Sequence, residues 1–362
     1  MSGAIGGTSG GYAGLTRLIA DSGAVRRQYN ALIRQAGSGL IANTYAGLGG
    51  GAATSLSLHP RIAALKTWRD GIDAAEGRAQ VTQAAMTRVQ GIAADLVARL
   101  TGLNGLNPTT IDSMAANARA ALAEVGEALN SQYAGAYVFA GEDTANPPVP
   151  NADQLATSGF FTQIAAAVGT LSGAGAAGVA AATLAVASSN SADTSPFSVF
   201  LSRPAGTFAP PLIATGEGRT EAVGLLASAN TGVPSTGAST TGSHMRDLLR
   251  ALATVGSLSS GQVNNPGFAA LVEDTRASVS GAVSAMAADA GILGEKQSTL
   301  RAGQTRLRDT ETALTAQVSG AEDVDMAEIL SSLSLTQTRL QASYQLISAS
   351  NGLSLVKFLG GG

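Results

Sequence analysis

The chain has no cysteine, two histidines and few aromatic residues. Without cysteine it can form no disulfide, no thiolate zinc site and no cysteine nucleophile. His59 and His244 have no second donor at a spacing suited to a metal or a catalytic triad, so we interpret both as solvated loop residues and predict no metal site. Aromatic residues make up 4% of the 362 positions, which is too few for a base-stacking surface.

Charged residues are also scarce, at 13% of the chain with a net charge of −3. This composition excludes the basic surface typical of nucleic-acid-binding proteins. Residues 47–52 superficially fit a dinucleotide-binding glycine pattern, but no strand–helix–strand context surrounds them. Glu322, Asp323 and Asp325 lie where a helix N-terminus favours negative charge, which is a sufficient structural reason for them. We therefore predict no catalytic residue, no cofactor and no enzyme activity.

Signals for export or membrane insertion are weak. The N-terminal sequence MSGAIGGTSGGYAG has neither a charged region nor an apolar region of a secretory signal, so Sec export is not expected. Residues 164–188 are uncharged and long enough to cross a bilayer, but they are mostly Ala and Gly and lack basic flanks and an aromatic belt. We interpret this run as a low-complexity part of a soluble domain and predict no membrane span. A membrane span is the alternative interpretation.

Seven-residue apolar periodicity is what the sequence has in abundance. Two long patterns predict two long helices in coiled-coil packing. The first pattern, placed after Pro60 in the expected first turn, comprises Leu65, Ile72, Ala79, Met86, Ala93 and Leu100. The second comprises Val272, Val279, Met286, Leu293, Leu300, Leu307 and Leu314. Two shorter helices are predicted at 109–135, with a seam from Ile111 to Leu129, and at 245–255.

Each end of the chain predicts a further amphipathic helix. The N-terminal one has apolar positions at Leu15, Leu18, Val25, Tyr29, Leu32 and Ala36 and ends before Gly37. The C-terminal one starts after Asp325, a predicted N-cap, with Met326, Leu333, Leu340 and Ile347 seven residues apart. This last helix is apolar on most faces, which favours burial by several copies together over docking in an ordinary core. Docking in one core is the alternative.

These patterns predict a mainly α fold. Both chain termini form a long antiparallel coiled-coil helical rod, and a small, partly β middle domain is inserted between them. Strand character at residues 137–140 and 195–202, the Pro-rich exit at 142–150 and the Ser/Thr/Gly tract at 235–243 all belong to the less regular part of the chain. We expect weakly specified loops there.

Several segments, in this order, resemble bacterial flagellins. These are GSGLIANTYAG at 37–47, AGILGEKQSTLRAGQTRLRD at 290–309, DVDMAEIL at 323–330 and LSLTQTRLQASYQLISASNGLSLVKFL at 333–359. Within the family, LNSQYAGAYVFAGEDTANPPV at 129–149 is more similar to the hook-filament junction members than to filament flagellins. The sequence departs from the family pattern after Ser38-Gly39, where Leu40-Ile41 replaces a basic pair.

The resemblance implies a structural subunit of the bacterial flagellum, exported by the flagellar type III apparatus and located outside the cell. Such a subunit joins hook to filament, or forms filament, by helical self-association of its coiled-coil termini. Its implied partners are copies of itself, other hook-associated proteins, flagellin and an export chaperone. A filament flagellin proper and a non-flagellar type III secretion component with coiled coils are the alternatives.

The resemblance also implies a segmentation of the chain and roles for individual residues. The segments are an N-terminal inner-core helix and linker at 1–55, outer-core helices and a hairpin at 56–145, an outward-facing insert at 146–242, an outer-core C-terminal helix at 243–320 and a C-terminal inner-core helix at 321–362. Predicted hinge positions are Gly37, Gly39 and Gly49. Predicted subunit-packing residues are Leu15, Val25, Tyr29, Leu32, Leu333, Leu340, Tyr344, Ile347 and Leu355.

Overall fold

The computed structural model describes residues 9–103, 108–204 and 206–359, and for 9–13, 15, 108 and 350–359 it describes the backbone alone. The chain is 71% helical and, within the described residues, has two small antiparallel sheets. This composition confirms the predicted mainly α class with a small β part.

The helices and strands follow one another in a simple order along the chain. The long helices are α1 (Ser9–Ser38), α2 (Ala52–Thr101), α3 (Pro108–Leu129), α7 (Phe268–Glu322) and α8 (Met326–Leu359). The shorter helices are α4 (Gly159–Gly169), α5 (Leu171–Ser188) and α6 (His244–Gly256), with 3-10 turns at Tyr45–Gly51, Ala152–Thr157 and Ser260–Gln262. The strands are β1 (Gln132–Tyr133), β2 (Ala136–Tyr137), β3 (Leu212–Gly216) and β4 (Arg219–Ala222).

The chain divides into two compact units. The first unit contains residues 1–66 and 309–362, and the second contains residues 67–308. The first unit therefore holds both terminal helices, and the second holds the whole middle of the chain. The five-segment division implied by the flagellin resemblance remains a prediction.

In the first unit, α1 and α8 pack against each other in antiparallel orientation. An antiparallel bridge joins Leu40, just after α1, to Asp323, just before α8. The amide of Ile41 donates to the carbonyl of Glu322 at 2.7 Å, and the amide of Val324 donates to the carbonyl of Gly39 at 3.0 Å. The predicted pairing of the two ends of the chain is thus confirmed.

The second unit contains the main hydrophobic core. The predicted heptad positions at Ile72, Ala79, Met86, Ala93 and Leu100 on α2 are all buried. Four of the α7 positions are buried in the same cluster, namely Val279, Met286, Leu293 and Leu300. The α3 seam from Ile111 to Leu129 is buried as well, and every residue of α6 is buried. The heptad patterns therefore predicted the core-facing side of each long helix.

Three helix ends differ from the sequence-based expectation, and the first is that of α1, which extends to Ser38 and so past its expected end before Gly37. Helix α2 starts at Ala52, so Pro60 lies inside the helix and not in its first turn. Helix α3 ends at Leu129, before the expected end near Gly135. The Asn130 side chain stops it, since its amide donates to the Val149 carbonyl at 2.7 Å and its oxygen accepts from the Val149 amide at 2.9 Å.

The β1–β2 hairpin follows this stop and turns through Ala134 and Gly135. Both residues have positive φ, at 49° and 81°, which is the geometry of the tight turns that join two short antiparallel strands. Gly135 adopts it without cost, whereas Ala134 carries a side chain in a conformation that L-residues disfavour. Of the strand predicted at 137–140, only Tyr137 belongs to β2, and Ala140 forms an isolated bridge with Leu226.

The middle of the chain is more helical than predicted. The Ala/Gly run forms most of α4 and α5, and residues 195–202 form turns in place of the predicted strand. The tract at 235–243 is held tightly, which contradicts the expected weak specification. The buried carboxylate of Asp247 accepts from the Thr241 amide at 2.7 Å and from the Thr241 hydroxyl at 2.9 Å. The small Ser and Thr side chains of this tract form no apolar pattern, so the sequence did not predict that hydrogen bonds would hold it in place.

Two helices are long and apolar enough to pass a test for membrane spans based on length and composition. They are α5 and a window within α7, of which 28% and 39% are buried inside the protein. Core helices of soluble proteins pass the same test, so the prediction that no segment spans a membrane stays a prediction.

Candidate assembly surface

Glu322 connects three segments of the first unit. Its side-chain oxygen Oε1 accepts a short hydrogen bond from the Ser55 hydroxyl and lies 2.9 Å from Nε2 of His59. Both partners are on the first turns of α2, and the Glu322 carbonyl accepts from Ile41 in the preceding linker. His59 is therefore part of a helix with a carboxylate partner, which corrects its interpretation as a solvated loop residue.

These contacts lower the pKa of the Glu322 carboxyl group. The hydrogen bond from Ser55 is the largest influence that lowers its pKa, and the hydrogen bond from His59 is the second. Partial burial acts in the opposite direction but is weaker. The ionised form is consequently favoured in the folded unit.

Asp325 caps α8, as predicted. Its Oδ1 accepts from the amides of Ala327 at 2.8 Å and Glu328 at 3.2 Å. A carboxylate in this position satisfies amides that have no partner within the helix and interacts favourably with the helix dipole. The start of α8 is thereby fixed after a gap of three residues from the end of α7.

The predicted hinge glycines differ in backbone conformation. Gly39 and Gly49 have φ angles of 73° and 54°, in the left-handed region that favours glycine. Gly37 lies inside α1. Their role as hinges remains a prediction, but two of the three positions require glycine for local reasons.

The predicted subunit-packing residues fall into three groups. Leu32 is buried, and Val25, Tyr29, Leu333, Leu340 and Ile347 are half-buried along the facing sides of α1 and α8. Tyr344 is exposed, with 48% of its surface accessible. The side chains of Leu15 and Leu355 lie outside the described residues.

Exposed apolar side chains are concentrated in the first unit. Of the thirteen large hydrophobic residues exposed in the described part of the chain, ten belong to this unit, which is the smaller of the two. They are Ile19, Ile33, Ile41, Tyr45, Leu56, Met326, Leu330, Leu335, Tyr344 and Leu346. Such a concentration is typical of a unit that takes part in an interaction.

A buried polar pair in the second unit corrects the other histidine prediction. His244 begins α6, and its Nε2 lies 2.9 Å from Oδ2 of Asp289, with both side chains almost fully buried. Burial alone would raise the pKa of Asp289, but hydrogen bonds from His244 and from the amides of Thr231 and Gly232 together lower it. The pair therefore fixes the loop before α6 against α7.

Metal-binding chemistry has no counterpart in the described part of the chain, where no group of three or more His, Asp or Glu residues is placed to hold a metal ion. Periodicity predicted the α1 and α8 seams, but it did not predict the partners of Glu322 and Asp289. Those contacts join residues far apart in sequence, and no periodic pattern around a single carboxylate predicts which residue will contact it.

Comparison with known protein families matches the C-terminal part of the chain. Residues 277–359, which include most of α7 and the whole of α8, match the family of the bacterial flagellin C-terminal helical region. No curated protein matches the chain. The matched segment contains the acidic entry to α8 and five of the exposed apolar side chains of the first unit. The match supports a relationship of this C-terminal segment to the bacterial flagellins, a family of structural proteins.

Proposed function

We propose that this protein is a structural subunit of the bacterial flagellum that assembles through its terminal helices. The observation that carries the proposal is the concentration of exposed apolar side chains on a unit built from both chain ends. A soluble monomer gains nothing from such a surface, whereas a polymer buries it between copies. The family match over residues 277–359 supports the same conclusion.

Within the flagellum, we propose a place at the junction between hook and filament. Support comes from residues 129–149, whose sequence resembles that of junction members more than that of filament flagellins. The implied partners are other hook-associated proteins, flagellin and an export chaperone, and the location is extracellular. Filament flagellin proper is the alternative within the same family.

Deletion of residues 325–362 tests assembly. The truncated protein should keep the helical signal and denaturation midpoint of the second unit, because that unit contains no residue beyond 308. It should be absent from purified flagella, because α8 carries five of the exposed apolar residues. Incorporation of the truncated protein at the level of the full chain would refute the proposal.

Immunogold labelling of isolated flagella with an antibody against the second unit distinguishes the two flagellar roles. A single band at the distal end of the hook is the result expected for a junction subunit. A continuous coat along the filament would assign the chain to filament flagellin. Absence of label from flagella that are otherwise complete would favour a non-flagellar secretion component.

A further inference from the structure

The α1/α8 pair buries only one of the faces that its helices present. The buried or half-buried seam residues follow three- and four-residue spacing on both helices, as in a coiled coil. Leu32 and Leu333 are examples of seam positions. Side chains next to such a seam lie on one or the other side of the pair. In an antiparallel pair, the residues that follow Leu18, Val25 and Leu32 on α1 lie on the same side as those that follow Ile329, Thr336 and Ser343 on α8.

One of these sides is mainly apolar. We call it the apolar flank, and its six residues are all exposed: Ile19, Arg26, Ile33, Leu330, Gln337 and Tyr344. Counted from the Leu40–Asp323 bridge, they lie seven, fourteen and twenty-one residues away along each helix. They therefore form three layers across the two helices. The outer layers pair apolar residues, and the middle layer pairs Arg26 with Gln337.

The other side of the pair differs in chemistry. We call it the charged flank, and its exposed residues include Asp21, Gln28, Leu335, Arg339 and Leu346. Leu330 and Leu335 are five residues apart, which places them about 140° apart around α8. Both flanks thus present exposed leucines, but only the charged flank offers an acidic side chain.

We propose that the apolar flank of one copy packs against the charged flank of a second copy. This inference rests on the proposed function and adds to it the two faces that meet. A twofold contact between two apolar flanks would bring the middle layers together and offer the Arg26 guanidinium no opposite charge, because this flank has no acidic residue. The charged flank provides Asp21 as an opposite charge for Arg26. Contacts between two different faces repeat from copy to copy, as a ring or a helical polymer requires.

The polar middle layer also determines the register between copies. A shift by one heptad that brings Gln28 opposite Arg26 in place of Asp21 would leave the guanidinium without an opposite charge. Burial of an unpaired guanidinium is costly, so one register is favoured over its neighbours. Single polar residues in otherwise apolar coiled-coil interfaces specify register in the same way.

Disulfide crosslinking tests the contact, and the absence of cysteine from the natural sequence gives a clean background. Leu330→Cys or Tyr344→Cys on the apolar flank is combined with Leu335→Cys or Leu346→Cys on the charged flank. Flagella isolated from cells that express each double variant are oxidised and then dissolved in denaturant. Because the two positions of a double variant face different sides of one helix, they cannot bridge within a copy. Disulfide-linked ladders of several subunits are expected for at least one double variant.

The controls separate this inference from the proposed function. Leu330→Cys combined with Thr338→Cys, which is on the exposed back of α8, should give no ladder. Dimers from Leu330→Cys alone would show that two apolar flanks meet and would overturn the inference. If each of the four double variants is incorporated into flagella and none forms a crosslink, the inference is overturned, and the proposed function stands. Absence of the unsubstituted protein from flagella would refute both.

Discussion

Glu322 is the residue at which linker, α2 and the end of α7 meet. Since its pKa is lowered in the folded unit, its contribution to stability is fully present above the pKa of the unfolded chain. The contribution is lost as the pH falls through the lower pKa of the folded state. Acidification through that pKa should therefore weaken the contacts of Glu322, which are intact at neutral pH.

The variant Glu322→Gln should remove that pH dependence. We expect faster amide hydrogen exchange at Ile41 and Val324 near neutral pH and little further change on acidification, because the amide cannot ionise. The same measurement on Glu328→Gln, an exposed residue of α8, serves as the control. Equal exchange at Ile41 in the variant and the natural protein would contradict the role assigned to Glu322.

Asp289 is the corresponding residue of the second unit. Asp289→Ala leaves His244 and the amides of Thr231 and Gly232 without an acceptor in a buried site. We expect a loss of about 3–5 kcal/mol in the free energy of unfolding, as found when one partner of a buried pair is removed. Chemical denaturation measures it. Asp289→Asn keeps one acceptor and should cost less; a cost equal to that of alanine would argue against the hydrogen bonds as the cause.

At the scale of elements, the start of α8 depends on its cap. Asp325→Ala removes the acceptor for two amides and should destabilise the first turn by about 0.5–2 kcal/mol. Hydrogen exchange of the Ala327 and Glu328 amides reports this loss directly. Asp325→Ser, which can still cap the helix, should retain most of the protection. Unchanged protection in the alanine variant would mean that packing against α1 alone fixes the helix start.

Among the elements, long helices were easier to predict than short ones. The α2 and α7 patterns repeat over many heptads, so the apolar face was defined several times over. Helix α6 is short and buried on all sides, although it contains Arg246, Asp247 and Arg250. Arg246 donates to the carbonyls of Ala187 and Ser228 and to the side chain of Asn190. Its burial depends on acceptors from other segments, and no local pattern predicts them.

The two units of the molecule differ in how much core each contains. Among side chains that the structure describes, the first unit has four buried hydrophobic residues, Leu32, Leu58, Leu65 and Val318, and all other buried hydrophobic residues belong to the second unit. Apolar burial is the dominant stabilising contribution in folding. The first unit should therefore be the less stable one in an isolated subunit.

Calorimetry of the monomer should show this difference as a separate, earlier transition. We expect α1 and α8 to unfold at a lower temperature than the second unit, because local stability follows the number of buried apolar contacts. Deletion of residues 325–362 should remove the early transition and leave the later one at the same temperature. A single transition that includes both units would contradict this expectation.

The sequence by itself determined the mainly α class, the pairing of the two chain ends, the core-facing sides of the long helices and the cap of α8. Each of these depends on local periodicity or on one residue next to its partner, both of which can be read along the chain. Tertiary structure alone decided the helical state of residues 159–188, the start of α2 before Pro60, and the burial of His244 beside Asp289. In those places the partner is distant in sequence, and the free energy of burial and hydrogen bonding outweighs local preference.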